Sequence, residues 1–187
     1  MTDWDGWLDD YFARFKPAFD PEVYASLKAF KALAETVRDR GGKLMFAGNG
    51  ASASISSHGA VDFTKQAKVR AVDFNEPNLI TAFSNDYGYE NWIARAMERY
   101  ADDGDAAVLI SVSGTSPNIV NAATYAKERN LPIVTFTGKS PDNPLKAFGD
   151  VNFWLGSSAY NVVEAVHMLW LTTVIDMVVG KAEYAVN

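Results

Sequence analysis

Apolar positions along this chain recur with two periods. Short apolar runs of four to seven residues alternate with longer stretches in which apolar residues return every three or four positions. The first pattern reads as buried strand and the second as amphipathic helix. Runs at Leu44–Ala47, Val69–Phe74, Ala106–Val112, Leu131–Thr137 and Val151–Leu155 predict five strands. Helical spacing covers Trp4–Phe15, a segment from an Asp20-Pro21 cap to about Arg38, then Ser52–Lys65, Pro77–Phe83, Tyr89–Tyr100, Pro117–Arg129 and Asn161–Val179. Val23, Leu27, Phe30, Leu33 and Val37 share one face of the second helix, and Trp92, Ile93, Ala96 and Met97 point inward from the fifth. Arg40-Gly41-Gly42, Asn85–Gly88, Asp102–Asp105 and Ser140–Asn143 read as turns or loops, and Lys181–Asn187 as a short tail.

Strands alternating with helices of this length imply parallel βαβ units. The expected fold is α/β: one domain over 1–187 with a five-stranded parallel sheet, doubly wound and flavodoxin-like, with helices on both faces. Residues 1–40 supply two N-terminal helices and 41–187 the α/β core. In the first helix Trp4, Trp7, Tyr11 and Phe15 form an aromatic stripe, which packs either on its own domain or against a second copy.

Composition narrows the function. The 187 residues carry a net charge of −6, which disfavours a broad nucleic-acid or membrane-surface footprint. There is no cysteine, hence no disulfide or thiol chemistry, which fits a cytoplasmic protein. The N-terminal MTDWDGWLDD lacks the basic-then-apolar pattern of a signal peptide. Val162–Val179 is apolar but holds Glu164, His167 and Asp176, so it reads as a buried helix rather than a membrane span.

Candidate chemistry sits where strands run into helices. KLMFAGNGASASISSHGAVDFTK, Lys43 to Lys65, is a strand, a Gly48-Asn49-Gly50 turn and a serine-rich helix. Such a junction points unpaired backbone N–H groups and the positive end of a helix at an anion. It is neither GxGxxG nor a Walker A loop, so no nucleotide cofactor is expected and a smaller phosphorylated ligand is. DAAVLISVSGTS, Asp105 to Ser116, repeats the arrangement: Ser111, Ser113, Thr115 and Ser116 surround Gly114. Four hydroxyl residues in six positions, before a helix, suit a phosphate cup better than a simple N-cap. Both loops fall at strand carboxyl ends, where open α/β sheets bind ligands.

GNGAS at Gly48–Ser52, SNDYG at Ser84–Gly88, SVSGTS at Ser111–Ser116, TFTGK at Thr135–Lys139 and VEAVHML at Val163–Leu169 occur in the order seen in sugar-isomerase (SIS) domains. The chain resembles that family over nearly its whole length, and within it most resembles the phosphoheptose isomerases. The resemblance implies a homotetramer, or a homodimer, with sites between subunits and a phosphorylated ketose as substrate. It implies that Ser111, Ser113 and Ser116 hold the phosphate with backbone help near Gly114, that Asn49, Gly50 and Ser52 meet the sugar, and that Asp86 faces the site. Four family positions that can bind zinc match His58, Asp62, Glu164 and Thr172; the family has glutamate, glutamine and histidine at the last three. Aldose–ketose interconversion through an enediol needs a base for the carbon-bound proton and an acid for the carbonyl. Asp62 or Glu164 could be the base and His58 or His167 the acid, and His58, Asp62, Glu164 and His167 are a candidate zinc set. Thr172 cannot be a general base, so two alternatives stand beside sedoheptulose 7-phosphate isomerisation. One is an isomerase for another sugar phosphate. The other is a non-catalytic SIS module that binds a phosphosugar or a protein partner such as a replication initiator.

Overall fold

The five apolar runs become the five strands of one parallel sheet. The computed structural model describes residues 2–185. Its strands are β1 (Leu44–Gly48), β2 (Ala71–Asp73), β3 (Ala106–Ser111), β4 (Ile133–Gly138) and β5 (Val151–Leu155), in spatial order β2-β1-β3-β4-β5. Every residue of β1, β3 and β4 is buried, as expected of strands covered on both faces. The helices are α1 (Trp4–Ala13), α2 (Tyr24–Asp39), α3 (Ala51–Lys65), α4 (Pro77–Tyr87), α5 (Trp92–Tyr100), α6 (Pro117–Glu128), α7 (Pro144–Phe148) and α8 (Tyr160–Val179).

Strand alternation divides the core in two. Leu44 and Phe46 of β1 face a layer built with Phe30, Phe63, Phe153 and Trp170, from α2, α3, β5 and α8. Met45 and Ala47 face the opposite layer, with Ile93, Met97, Ile119 and Leu145 from α5, α6 and α7. Phe136 and Phe153 stack at 4.4 Å between ring centroids and bind β4 to β5. At the amino end of the sheet, buried Lys43 donates to Asp105 at 2.6 Å and Asp102 at 2.8 Å. The carboxyl end is left to the two glycine-serine loops. β1 and β3 are adjacent, with Gly48 opposite Ile110, and the strand order reverses between them. That reversal opens a crevice just beyond both loops.

Several element ends differ from expectation. Pro21–Val23 is a 3₁₀ turn, so α2 starts at Tyr24. The expected turn at Asn85–Gly88 is mostly helix: α4 runs through Tyr87, and Gly88, at φ 81°, ends it by donating to Ser84 O. α7 was not expected; Asn143 accepts from Lys146 N at 2.9 Å and Pro144 opens the helix. β2 is three residues long, at the edge of the sheet. Of the aromatic stripe, Tyr11 and Phe15 pack against the core, while Trp4 and Trp7 are exposed; Phe12 beside them is exposed too, and no residue of α1 is buried. Val186 and Asn187 of the expected tail lie outside the described residues.

α8 is long and apolar enough to cross a membrane by length and composition. It packs instead as a core helix, burying Val162, Val163, Val166, His167, Trp170, Leu171, Val174 and Ile175.

Candidate functional site

Three helix N-termini meet at the crevice: α3 with Ser52, α6 with Ser116 and α8 with Tyr160 and Glu164. None of the three has a side chain capping its first turn, a feature they share with α2 and α5, while α1, α4 and α7 are capped by Asp3, Glu76 and Asn143. In α3 the N–H groups of Ser52 and Ala53 donate to Asn49 O and Gly50 O, and α6 opens on Pro117 with Ile119 N–H donating to Ser116 O, so in these two helices only part of the first turn is open to an anion, beside the helix end's partial positive charge. The cap of α3 is Gly50, at φ 58° and ψ −125°, a conformation that side chains disfavour. Ser116 occupies the cap position of α6, but its hydroxyl turns to Ser111 Oγ, 3.2 Å away, so it is not an ordinary N-cap.

The cavity at this junction measures about 110 Å³. Asn49 and Ser52 line it from the first loop, Ser111, Ser113 and Ser116 from the second, and Tyr160 and Glu164 from α8. Gly114 has φ 65° and lies against the Asn143 side chain, which would collide with any Cβ there. Its N–H donates to Ser111 O at 3.0 Å and to Ser111 Oγ at 3.2 Å, closing the turn. Thr115 is exposed and outside the cavity lining; its N–H and hydroxyl both donate to Ser113 Oγ, at 3.2 and 3.0 Å. It orients a cup residue rather than forming the cup. At the rim Lys139 Nζ donates to the Tyr160 hydroxyl at 3.0 Å and sits 4.4 Å from that ring's centroid. Burial pushes the Glu164 carboxyl above the usual glutamate range. The site thus joins anion-binding donors to a carboxylate suited to take a proton.

The remaining expected residues are distributed differently. His58 Nε2 lies 3.2 Å from Asp62 Oδ2 on α3, and the histidine side chain is half exposed. The pair stays outside the cavity lining; His58 is six residues beyond Ser52, about 9 Å along the helix. Thr172 Oγ1 donates to Met168 O at 3.0 Å and Leu169 O at 3.1 Å, within its own helix. Asp86 is exposed on the last turn of α4 and accepts from Asn85, away from the cavity lining.

His167 requires a correction. It is fully buried, with Nε2 3.0 Å from Thr137 O, and its ring packs on Phe136 and Trp170. Burial lowers its pKa to about 4, despite the bond to Thr137 O, which acts the other way. It is part of the core beneath β4, not an acid facing the cavity. The candidate zinc set is corrected with it: His167 faces the core, Glu164 the cavity, and His58 with Asp62 a separate part of α3. Among the described residues no group of three or more histidine, cysteine, aspartate or glutamate side chains could hold a metal ion. The described residues of one chain do not gather the four candidate ligands at one point.

Asn118, Tyr89 and Tyr160 were not anticipated. Asn118, in the first turn of α6, exchanges amide hydrogen bonds with Asn49, and the Tyr89 hydroxyl donates to Asn49 Oδ1 at 3.1 Å. The one sequence signal for Asn118 is its place directly after SGTSP. A wider depression of about 700 Å³ beside β2, lined by Ser57, Thr64, Asp73 and Asn75 among others, contains none of the expected site residues.

The family model described as SIS domain matches residues 10–138, about two thirds of the chain. The chain belongs to the SIS domain family. The matched stretch of this SIS domain contains both glycine-serine loops and stops before α8. The chain is 32% identical over 142 residues to a phosphoheptose isomerase from Fusobacterium nucleatum, covering 73% of each protein. Its fold is that of the phosphoheptose isomerase from Neisseria gonorrhoeae, with a TM-score of 0.83 at 24% identity, covering 94% of this chain and 99% of that one. It also matches a phosphoheptose isomerase from Francisella tularensis, with a TM-score of 0.85 at 22% identity, covering 95% and 98%.

Proposed function

We propose that this SIS domain is a phosphosugar isomerase that interconverts aldose and ketose phosphates in heptose assembly for surface polysaccharide, with sedoheptulose 7-phosphate as its substrate. The observation that carries the reading is one cavity in which uncapped helix N-termini and serine hydroxyls stand beside a carboxyl raised by burial. The curated relative named phosphoheptose isomerase supports the substrate class.

Ser111, Ser113, Ser116 and the first turn of α6 bind the phosphate. Asn49 and Ser52 hold sugar oxygens. Glu164 takes the proton from the carbon beside the carbonyl and returns it to the neighbouring carbon, while the hydroxyl proton moves between the two oxygens through an enediol. His58, oriented by Asp62, is the acid of this proposal. No step is assigned to zinc, because the candidate ligands do not gather in one chain. The protein works as a cytoplasmic homotetramer; the exposed Trp4, Trp7 and Phe12 of α1 support assembly, and the absence of cysteine and the core packing of α8 support the compartment.

The deciding experiment incubates the protein with sedoheptulose 7-phosphate in heavy water, with zinc and with a chelator, and follows it by NMR. Aldose product, or deuterium on the carbon beside the carbonyl, is expected. Binding without exchange would favour a binding-only SIS module, a reading to which Thr172, with its hydroxyl turned into its own helix, lends support.

A further inference from the structure

The Gly-Asn-Gly loop is tied to α6 by a closed pair of amide hydrogen bonds. Asn49 Nδ2 donates to Asn118 Oδ1 at 3.0 Å, and Asn118 Nδ2 donates back to Asn49 Oδ1 at 2.9 Å. The Tyr89 hydroxyl donates to the same Asn49 Oδ1 at 3.1 Å. A carboxamide has two lone pairs on oxygen and two N–H groups on nitrogen. Both lone pairs of Asn49 are therefore taken, as is one of its N–H groups. What remains is a single N–H donor, on a residue that lines the cavity. Asn118 is 2% exposed, so its own amide has little freedom to turn. Asn121, one helical turn further on, holds the segment that carries Tyr89: it donates to Glu90 O at 2.9 Å and Asn91 Oδ1 at 3.1 Å. α6 thus fixes both the loop and the tyrosine that meet at Asn49.

We propose that Asn118 and Tyr89 are positioning residues that hold Asn49 as a one-way donor, so that the sugar group opposite Asn49 is an acceptor oxygen. The proposal rests on the phosphosugar reading. An unrestrained asparagine would offer its carbonyl as readily as its N–H. A clamped one accepts nothing from the sugar and meets it only through an acceptor lone pair, on a carbonyl, an ionised oxygen or a hydroxyl that donates its proton elsewhere.

The test measures binding by calorimetry for the full chain, using inorganic phosphate, sedoheptulose 7-phosphate, and five- and six-carbon ketose phosphates. Tyr89→Phe, Asn118→Ala and Asn49→Ala are compared alone and in pairs with Asn49→Ala. Tyr89→Phe and Asn118→Ala are each expected to weaken the best-bound sugar phosphate about tenfold, while inorganic phosphate, held by the serine cup, changes less than about twofold. With Asn49→Ala already present, neither variant should cost more, because the group they position is gone. Unchanged sugar-phosphate affinity, a loss that persists without Asn49, or an equal loss of inorganic phosphate would each overturn the proposal. Tyr89 is at the surface, so Tyr89→Phe keeps the test open if Asn118→Ala fails to fold. A wild-type protein that binds none of the sugar phosphates overturns the phosphosugar reading and this proposal together. Wild-type binding with unaltered variants overturns this proposal alone.

Discussion

The serine cup makes a prediction that can be counted in protons. Ser111, Ser113 and Ser116 carry three hydroxyl protons. The Oγ atoms of Ser111 and Ser116 are 3.2 Å apart, so one proton of that pair is engaged between them. Ser113 Oγ accepts from both the N–H and the hydroxyl of Thr115, which occupies its lone pairs and directs its own proton outward. Two hydroxyl donors are left for a phosphate, one from Ser113 and one from the pair. A hydrogen bond to a charged group contributes roughly 1.5–3 kcal/mol. Ser113→Ala should therefore weaken phosphate binding by about 10- to 150-fold. Ser116→Ala leaves Ser111 with its own proton and should cost less than about tenfold. Ser111→Ala with Ser116→Ala removes that donor altogether, so the double variant should lose more than the sum of the two single losses. Gly114 N–H also donates to Ser111 O at 3.0 Å, so the turn survives loss of the hydroxyl. Calorimetric titration with inorganic phosphate and with sedoheptulose 7-phosphate reads the effect, and thermal melts check the fold. Ser113→Ala with affinity unchanged within about twofold, or strictly additive losses at Ser111 and Ser116, would refute the donor count.

Glu164→Gln should lower isomerase activity by about 10² to 10⁴, the usual contribution of a positioned base. Burial raises the Glu164 pKa, so its stabilising contribution is present below the unfolded value and lost as pH rises through the folded one. Glu164→Gln should accordingly melt higher than wild type at pH 7–8 but not near pH 4; the reverse order would argue against a desolvated carboxyl. His167 has the opposite sign. Its pKa is about 4 in the fold and about 6.5 unfolded, so the stability it contributes is present above pH 6.5 and lost as pH falls towards 4, about 3 kcal/mol in all. Urea unfolding between pH 7 and 4.5 should decline more steeply for wild type than for His167→Leu, and parallel declines would contradict the buried neutral ring.

The chain's pattern determined most of the fold because strand and helix periods come from backbone geometry. Five apolar runs became five parallel strands, with the helices between them close to where the spacing put them. Gly48-Asn49-Gly50 and Ser111–Ser116 were recognisable for the same local reason: a glycine turn or a hydroxyl cluster before a helix is a property of consecutive residues. The Asn-Pro start of α7 and the glycine that ends α4 were also written in the sequence, as caps whose weight depends on the turn around them.

α8 shows where local pattern stops. It is apolar on nearly every side, so periodicity gives its residues no direction, and only packing against the sheet turned His167 into the core and Glu164 towards the cavity. The same holds for Asn49, Asn118 and Tyr89. Asn118 and Tyr89 lie 69 and 40 residues from Asn49 along the chain and meet it because β1 and β3 are neighbours across the point where the sheet reverses. Spacing along a chain fixes which residues share a helix face or a turn; which faces meet is decided by how the whole core buries its apolar surface.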